Sequence, residues 1–208
     1  MVELLKWINM GASVVTASGV YLVWVQVKLL RQQIQADHER TRRQNALDLL
    51  LEWTKHLKEQ SPNAIALAET LDDRQSVKLY NRKPFELDKE HEGLLTAALK
   101  AHFPNLQLTT NNNCIQLKEE EAIIIRMQII NYLNMLESIL AFWRHNMADR
   151  KILEEQFQTI FDEKNARFCI HRFRQAAGGQ ETFPAIFEFM RYIQKKKNIE
   201  IPGELPIV

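Results

Sequence analysis

The chain is poor in residues that break helices. It has six glycines and six prolines among 208 residues, roughly half their usual combined share. That scarcity excludes collagen-like and low-complexity classes and argues against a turn-rich all-β protein. Cysteine is nearly missing: Cys114 and Cys169 allow no disulfide framework and show no metal spacing, so a reducing compartment is expected for the bulk of the chain. Excess charge of one sign is missing too. The 27 Lys and Arg stand against 26 Asp and Glu, leaving no global field to recruit nucleic acid. The six histidines, His38, His56, His91, His102, His145 and His171, form no zinc pattern, and no phosphate loop, nucleophile elbow or dinucleotide fingerprint occurs. The 46% hydrophobic residues are ordinary for a chain that buries a core.

A local absence says more. No Lys, Arg, Asp or Glu lies between Lys6 and Lys28. The 21 residues from Trp7 to Val27 make a helix about 31 Å long, the thickness of a bilayer's hydrocarbon core. Trp7 sits at one end, and Tyr21 and Trp24 approach the other, as interfacial aromatics do. A cleaved signal is disfavoured because apolar residues continue past Ala17-Ser18-Gly19, and a buried soluble helix rarely runs this far without a charge. The stretch reads as a membrane span. Lys28, Arg31, Arg40, Arg42 and Arg43 follow it, whereas only Glu3 and Lys6 precede it. Positive residues stay on the cytoplasmic side, so the expected topology is N-terminus out in the bacterial inner membrane. The five cations are expected at lipid headgroups.

Asn9, Ala12, Ser13, Thr16, Gly19 and Gln26 fall on one side of this helix. Small and weakly polar residues on one stripe are what helices use to associate in lipid, so these six are the expected self-association or pore-lining residues. No helix breaker appears from Leu4 to Gln60. The span is therefore expected to run on as a stalk, mostly polar from Gln32 to Gln44. Beyond it, Leu47, Leu50, Leu51, Trp53, Thr54 and Leu57 mark an amphipathic helix docking on a domain.

Further on, Ser61-Pro62 starts a helix through about Leu71, the run 72–83 is ambiguous, and Asp88 is a cap for a helix through Gly93 to about Ala101. Residues 103–116 read as a loop; a hairpin pairing 106–108 with 114–116 is short for its class. The strongest soluble helix runs from Lys118 to about Asn146, apolar nearly all round and therefore central. Arg126, Asn131, Asn134 and Glu137 argue against its being a second span. Asp149 caps a helix through Phe161 and on towards Ala176, and Gly178-Gly179 stops it. A last helix starts at Thr182 with Pro184 in its first turn and closes on Lys195-Lys196-Lys197. The expected divisions are an anchor at 1–30, a stalk helix at 31–60, a cytoplasmic helical domain at 61–198 and an irregular tail at 199–208. The expected fold is thus all-α: one amino-terminal transmembrane helix, a stalk and a cytoplasmic helical bundle.

Arg167-Phe168-Cys169-Ile170-His171 is similar to the Arg and His pair of HEPN-type ribonucleases, helical enzymes that converge a guanidinium and an imidazole on a scissile phosphate. The i,i+4 spacing would put Arg167 and His171 on one helix face. The spacing is one residue short and Phe168 replaces a polar residue, so no catalytic residue is assigned.

Residues 1–60 and 118–195 resemble a bacterial family of membrane-anchored helical proteins, the domain-of-unknown-function family 4760. The resemblance lies in the single span, the basic stalk and the helix Asn45-Ala46-Leu47-Asp48-Leu49-Leu50-Leu51-Glu52-Trp53. It continues in Leu133 to Trp143 followed by the Asp149-capped helix. The organisation is also similar to membrane accessory proteins of antiphage systems, which assemble in the bilayer and disturb it on infection. The resemblance implies a homo-oligomeric membrane effector of antiphage defence that acts on the inner membrane. Its partners would be the bilayer, further copies of itself and a defence partner or signal, with no cofactor, no metal and no direct nucleic acid. A passive membrane-tethered scaffold and a degenerate HEPN-like ribonuclease are the alternatives.

Overall fold

The computed structural model describes residues 2–59, 62–111, 113–161 and 169–200, and the side chains of 19, 21–58, 62–109, 113–161 and 169–196. It is mostly helical. Helix α1 spans Val2–Glu59 without a break, about 87 Å at the usual rise. No proline interrupts it, and Gly11 and Gly19 are carried within it, in keeping with the unbroken helix expected from the sequence. Its last third belongs to the folded domain: Ala46 and Trp53 are buried, and Leu49 and Leu50 pack on the core.

After α2 (Pro62–Thr70) comes α3 (Asp73–Tyr80), which opens on a reciprocal cap. Gln75 N donates to the Asp72 carboxylate at 2.7 Å, and Asp72 N donates to Gln75 Oε1 at 3.0 Å. This resolves the ambiguous run as helix. Strand β1 (Phe85–Asp88) then leads through a 3-10 turn, Lys89–His91, into α4 (Glu92–Leu99). The helix expected from Asp88 thus starts four residues later, because Asp88 ends a strand and its side chain caps nothing.

Strands β2 (Thr109–Asn111) and β3 (Cys114–Leu117) fall within the segment read as loop. The sheet order is β1-β3-β2, antiparallel throughout, with Phe85 opposite Leu117 and Asp88 opposite Cys114. Phe85, Leu87, Ile115 and Leu117 face inward and are buried. Each strand is short, and the sheet is held by that apolar face against the helices. A small sheet is thus added to an otherwise helical architecture.

The central helix is α5 (Glu119–Arg144), with Ile125, Ile129, Leu133, Leu136, Ile139 and Leu140 fully buried. By length and composition it is apolar enough to cross a membrane, yet 44% of that window is buried within the protein. Four polar residues of its inner face, Glu121, Arg126, Gln128 and Glu137, are at least half-buried, whereas Glu119, Glu120, Asn131 and Asn134 face solvent. Arg126 Nε donates to Tyr80 O at 2.8 Å, Gln128 Nε2 to Ala98 O at 3.1 Å, and Glu137 accepts from Ala185 N and Ile186 N at 2.8 and 2.9 Å. The last pair caps α8 (Pro184–Glu200), whose first amides have no partner inside the helix. Thr182 does not cap it; its hydroxyl donates to Ala177 O instead.

Asp149 caps α6 (Arg150–Phe157) as expected, accepting from Lys151 N and Ile152 N, and a 3-10 turn, Gln158–Phe161, follows. Helix α7 (His171–Ala176) is short and ends at Gly178 and Gly179, both at positive φ, where a side chain would be strained. Glu154, buried between α5, α6 and α8, accepts from Trp143 Nε1 at 3.0 Å and Tyr192 OH at 2.9 Å, with Lys196 Nζ at 3.5 Å. Arg150 lies 4.1 Å over the Trp143 ring. That cluster pins three helices to one another.

Candidate functional site

Among the described side chains of α1, those before Arg42 stand clear of the domain. From Tyr21 to Thr41 every residue except Val25 is exposed, and nothing lies within 4 Å of where a Cβ on Gly19 would stand. Trp24 stacks on Tyr21 at 6.2 Å between ring centroids, and the Lys28 ammonium sits 5.6 Å over the Trp24 ring. Two aromatic rings and a cation thus gather one turn apart where the charge-free stretch ends, the pattern of an interfacial anchor. Gln26, Lys28, Arg31 and Arg40 are exposed. Asn9, Ala12, Ser13 and Thr16 lie on the helix, but their side chains fall outside the described residues.

Arg42 and Arg43 do something the sequence did not suggest. Arg42 Nη1 donates to Asn146 Oδ1 at 3.3 Å, and Asp149 N donates to Arg42 O at 2.9 Å. Asn45 Nδ2 donates to Met147 O at 2.8 Å, and the Arg43 guanidinium pairs with Asp149 at 3.6 Å. These bonds fasten α1 to the α5–α6 turn. They sit about 22 Å along the helix from Val27, leaving Lys28 and Arg31 as the cations next to the charge-free stretch. No sequence motif marks this joint, because its halves lie about 100 positions apart.

The basic corner around His171 is built differently from its spacing. Cys169 and Ile170 both have positive φ, near 50° and 54°, a left-handed pair that costs on the order of 1–2 kcal/mol per residue. The helix expected to run from Asp149 to Ala176 is therefore broken, and α7 begins only at His171. Arg167 lies outside the described residues, and no continuous helix links its position to His171. The corner is held by Ile170 N donating to Glu69 Oε1 at 2.6 Å and by Arg174 Nε donating to Cys169 O at 2.8 Å. Arg172 Nη1 donates to Leu71 O at 3.0 Å and its Nε lies 3.7 Å from Asp73. Burial and then the Arg174 charge keep the His171 imidazole below its ordinary range, with Asp73 pulling the other way. Burial pushes the Cys169 thiol up to about 12, so it is no thiolate nucleophile at neutral pH. Both arginines are spent on carbonyls and a carboxylate of the fold.

Asp88, Glu90 and His91 bring one ligand atom each within 4.8 Å of one another. Two carboxylates and an imidazole suit a divalent cation. The same groups, however, already form a Glu90–His91 pair at 3.5 Å, and both carboxylates face solvent. A search for histidine and cysteine spacing misses them, since the trio includes a single His. The concavity lined by His102, Phe103, Pro104, Leu106, Lys118 and Glu121, about 440 Å³, is open to solvent. No protein-family model, curated protein or solved structure matches this chain.

Proposed function

We propose that this protein is a single-pass, N-out protein of the bacterial inner membrane whose copies associate and perturb or permeabilise the bilayer, as an effector or accessory of antiphage defence. The observation that carries the reading is the charge-free run Trp7–Val27 at the start of one unbroken helix. The turns that follow it stay clear of the folded domain as far as Thr41. A charge-free helix of bilayer length, exposed wherever its side chains are described, finds its solvent in lipid. The defence setting rests on the resemblance in organisation and on the family resemblance drawn from the sequence.

Asn9, Ser13, Thr16 and Gln26 are costly to present to hydrocarbon and gain most by facing one another or a narrow wet lumen. Interhelical polar contacts in lipid are each worth about 0.6–2 kcal/mol. One substitution is therefore a poor test. Replacing Asn9, Ser13 and Thr16 together with Leu should leave the chain inserted but sharply reduce ion leakage measured with a membrane-potential dye. The matched change at Gly11, Val14 and Ser18 should matter less. Equal leakage from both variants rejects the lining. No leakage from the unmodified chain on induced expression leaves the tethered scaffold as the account, and RNA cleavage by purified protein would revive the nuclease.

A further inference from the structure

Helix α1 carries an unpartnered seam beyond its charge-free stretch. Counting in sevens from Val23 gives Val23, Leu30, Asp37, Gln44 and Leu51; counting from Val27 gives Val27, Ile34, Thr41 and Asp48. These are the d and a positions of one heptad register. All nine are exposed. Leu51, at 69%, is the most exposed large hydrophobic among the described residues, and Val23, Val27, Leu30 and Ile34 are each exposed by 44–59%. The residues that dock α1 on the domain, Ala46, Leu49, Leu50 and Trp53, occupy the f, b, c and f positions of the same register. The seam therefore faces away from the domain, and a second helix can lie along it with both domains outward.

We propose that α1 zips in parallel and in register with α1 of a second copy of this chain, through Val23, Val27, Leu30, Ile34 and Leu51. β-Branched residues at a (Val27, Ile34) with leucine at d (Leu30, Leu51) are the combination that favours parallel pairs. The flanking positions that meet across such a pair are Gln26 with Arg31, Gln33 with His38 and Leu47 with Glu52, while Arg40 comes beside Asn45, whose amide is bonded to Met147 O; none of these flanking pairs sets like charges together. Asp37, Thr41, Gln44 and Asp48 form polar layers in the middle, where Asp37 and Asp48 each face their own copy; these layers weaken the coil there, and the apolar layers on either side carry it. Lys55 and Lys58 fall at the next a and d positions and end it. Lipid cannot serve as the cover throughout, because Leu51 lies about 36 Å along the helix from Val27. A lone helix of this polarity between 28 and 41 is also marginal in water, which a partner remedies. The inference deepens the reading of the chain as a self-associating membrane protein: it gives the assembly a neck between bilayer and domain.

The test uses the full chain in native membranes with Cys114→Ser, leaving the buried Cys169 in place. Single cysteines at Leu30, Ile34 and Leu51, and for comparison at Leu29, Gln32 and Glu39 on the outer side, are oxidised mildly. Cross-linked dimer should form several-fold more from the first three than from the second three. Linking at both Leu30 and Leu51 requires parallel, in-register helices, since an antiparallel pair would bring at most one of these positions together with itself. A flat profile, a preference for the outer three, or no link at Leu30 and Leu51 overturns the proposal. Leu30→Glu with Ile34→Glu should shift the detergent-solubilised protein towards monomer while leaving thermal unfolding of the domain unchanged; an unchanged oligomer also overturns it. If the chain proves soluble, the same profile read in solution keeps the seam while the membrane reading falls. If it is membrane-bound with a flat profile, the anchor stands and the seam falls.

Discussion

Helices α1 and α5 are both long and rich in apolar residues, but they sort those residues along different coordinates. In α5 the sorting runs around the axis: Glu119, Glu120, Asn131 and Asn134 face solvent on one side, and the polar residues turned inward find partners across the core. Arg126 reaches Tyr80 O, Gln128 reaches Ala98 O, and Glu137 closes the start of α8. In α1 the sorting runs along the axis. Twenty-one residues without a charge precede a nearly all-polar stretch, and only beyond Thr41 does a buried face begin. Sorting around the axis prepares a helix for a protein interior wetted on one side. Sorting along it prepares a helix for a medium that changes with depth. Composition alone does not separate the two: α5 passes a length-and-hydropathy test for a membrane span.

The largest effect expected from this contrast is a clean division of labour. Removing residues 1–30 should abolish membrane fractionation yet leave a folded helical domain, because residues 21–41 contribute almost nothing to its buried core. Carbonate-washed membranes and thermal unfolding of the truncated chain give the two readouts. A truncated chain that still pellets with membranes would mean the anchor lies elsewhere. One that no longer folds would mean the exposed half of α1 supports the domain after all.

The contrast is sharpened next at Glu154. Glu154→Ala leaves Trp143 Nε1 as a buried donor and Tyr192 OH as a half-buried one without their acceptor and removes the carboxylate that the solvent-facing Lys196 and Arg150 approach. Leaving a buried donor unsatisfied typically costs about 1–3 kcal/mol. Glu154→Gln keeps an acceptor and should cost less. Urea unfolding measures both. An Ala variant that loses under about 1 kcal/mol would show that the three helices are pinned by packing alone. Either way, the change should leave membrane fractionation untouched, which keeps the two regions separable.

What the sequence conveys follows the same division. The unbroken α1, the central α5, the Asp149 cap and the Gly178-Gly179 stop could all be read from it, because each depends on residues within a few positions of one another. Strand β1 could not. Phe85-Glu86-Leu87-Asp88 offers two alternating apolar residues, and its partner Cys114–Leu117 is nearly thirty positions away. The Asp72–Gln75 cap has a local signature that propensity alone passes over in so polar a run. Glu137 capping α8 from 48 residues away, and the left-handed Cys169-Ile170 pair, have no local signature at all. For the candidate site, the polar stripe of α1 is periodic and hence readable. The joint at Arg42, Asn45 and Asp149 is a tertiary meeting point, so its two arginines read only as more stalk charge.

The smallest effect is expected at His171, where the domain's chemistry was suspected. Its imidazole sits at the first residue of α7, exposed, with Arg174 and Arg172 beside it and Asp73 opposing them. The folded-state pKa is lowered, so between that value and the ordinary 6.5 the unfolded chain binds more protons than the folded one. Stability therefore falls as pH drops through that window and is flat above it. His171→Asn should remove this slope and nothing else: the variant should lose slightly less Tm than the unmodified protein between pH 7.5 and 5.5, and match it at pH 7.5. Because solvent screens an exposed group, the difference should be small. Adding Arg167→Ala should leave ion leakage intact, since a left-handed break lies between these two positions and Arg172 and Arg174 are already bonded to the fold. Loss of leakage in a double variant that keeps its Tm and its membrane fraction would show that the basic corner acts on a phosphate after all, and would move the protein's chemistry from α1 into the domain.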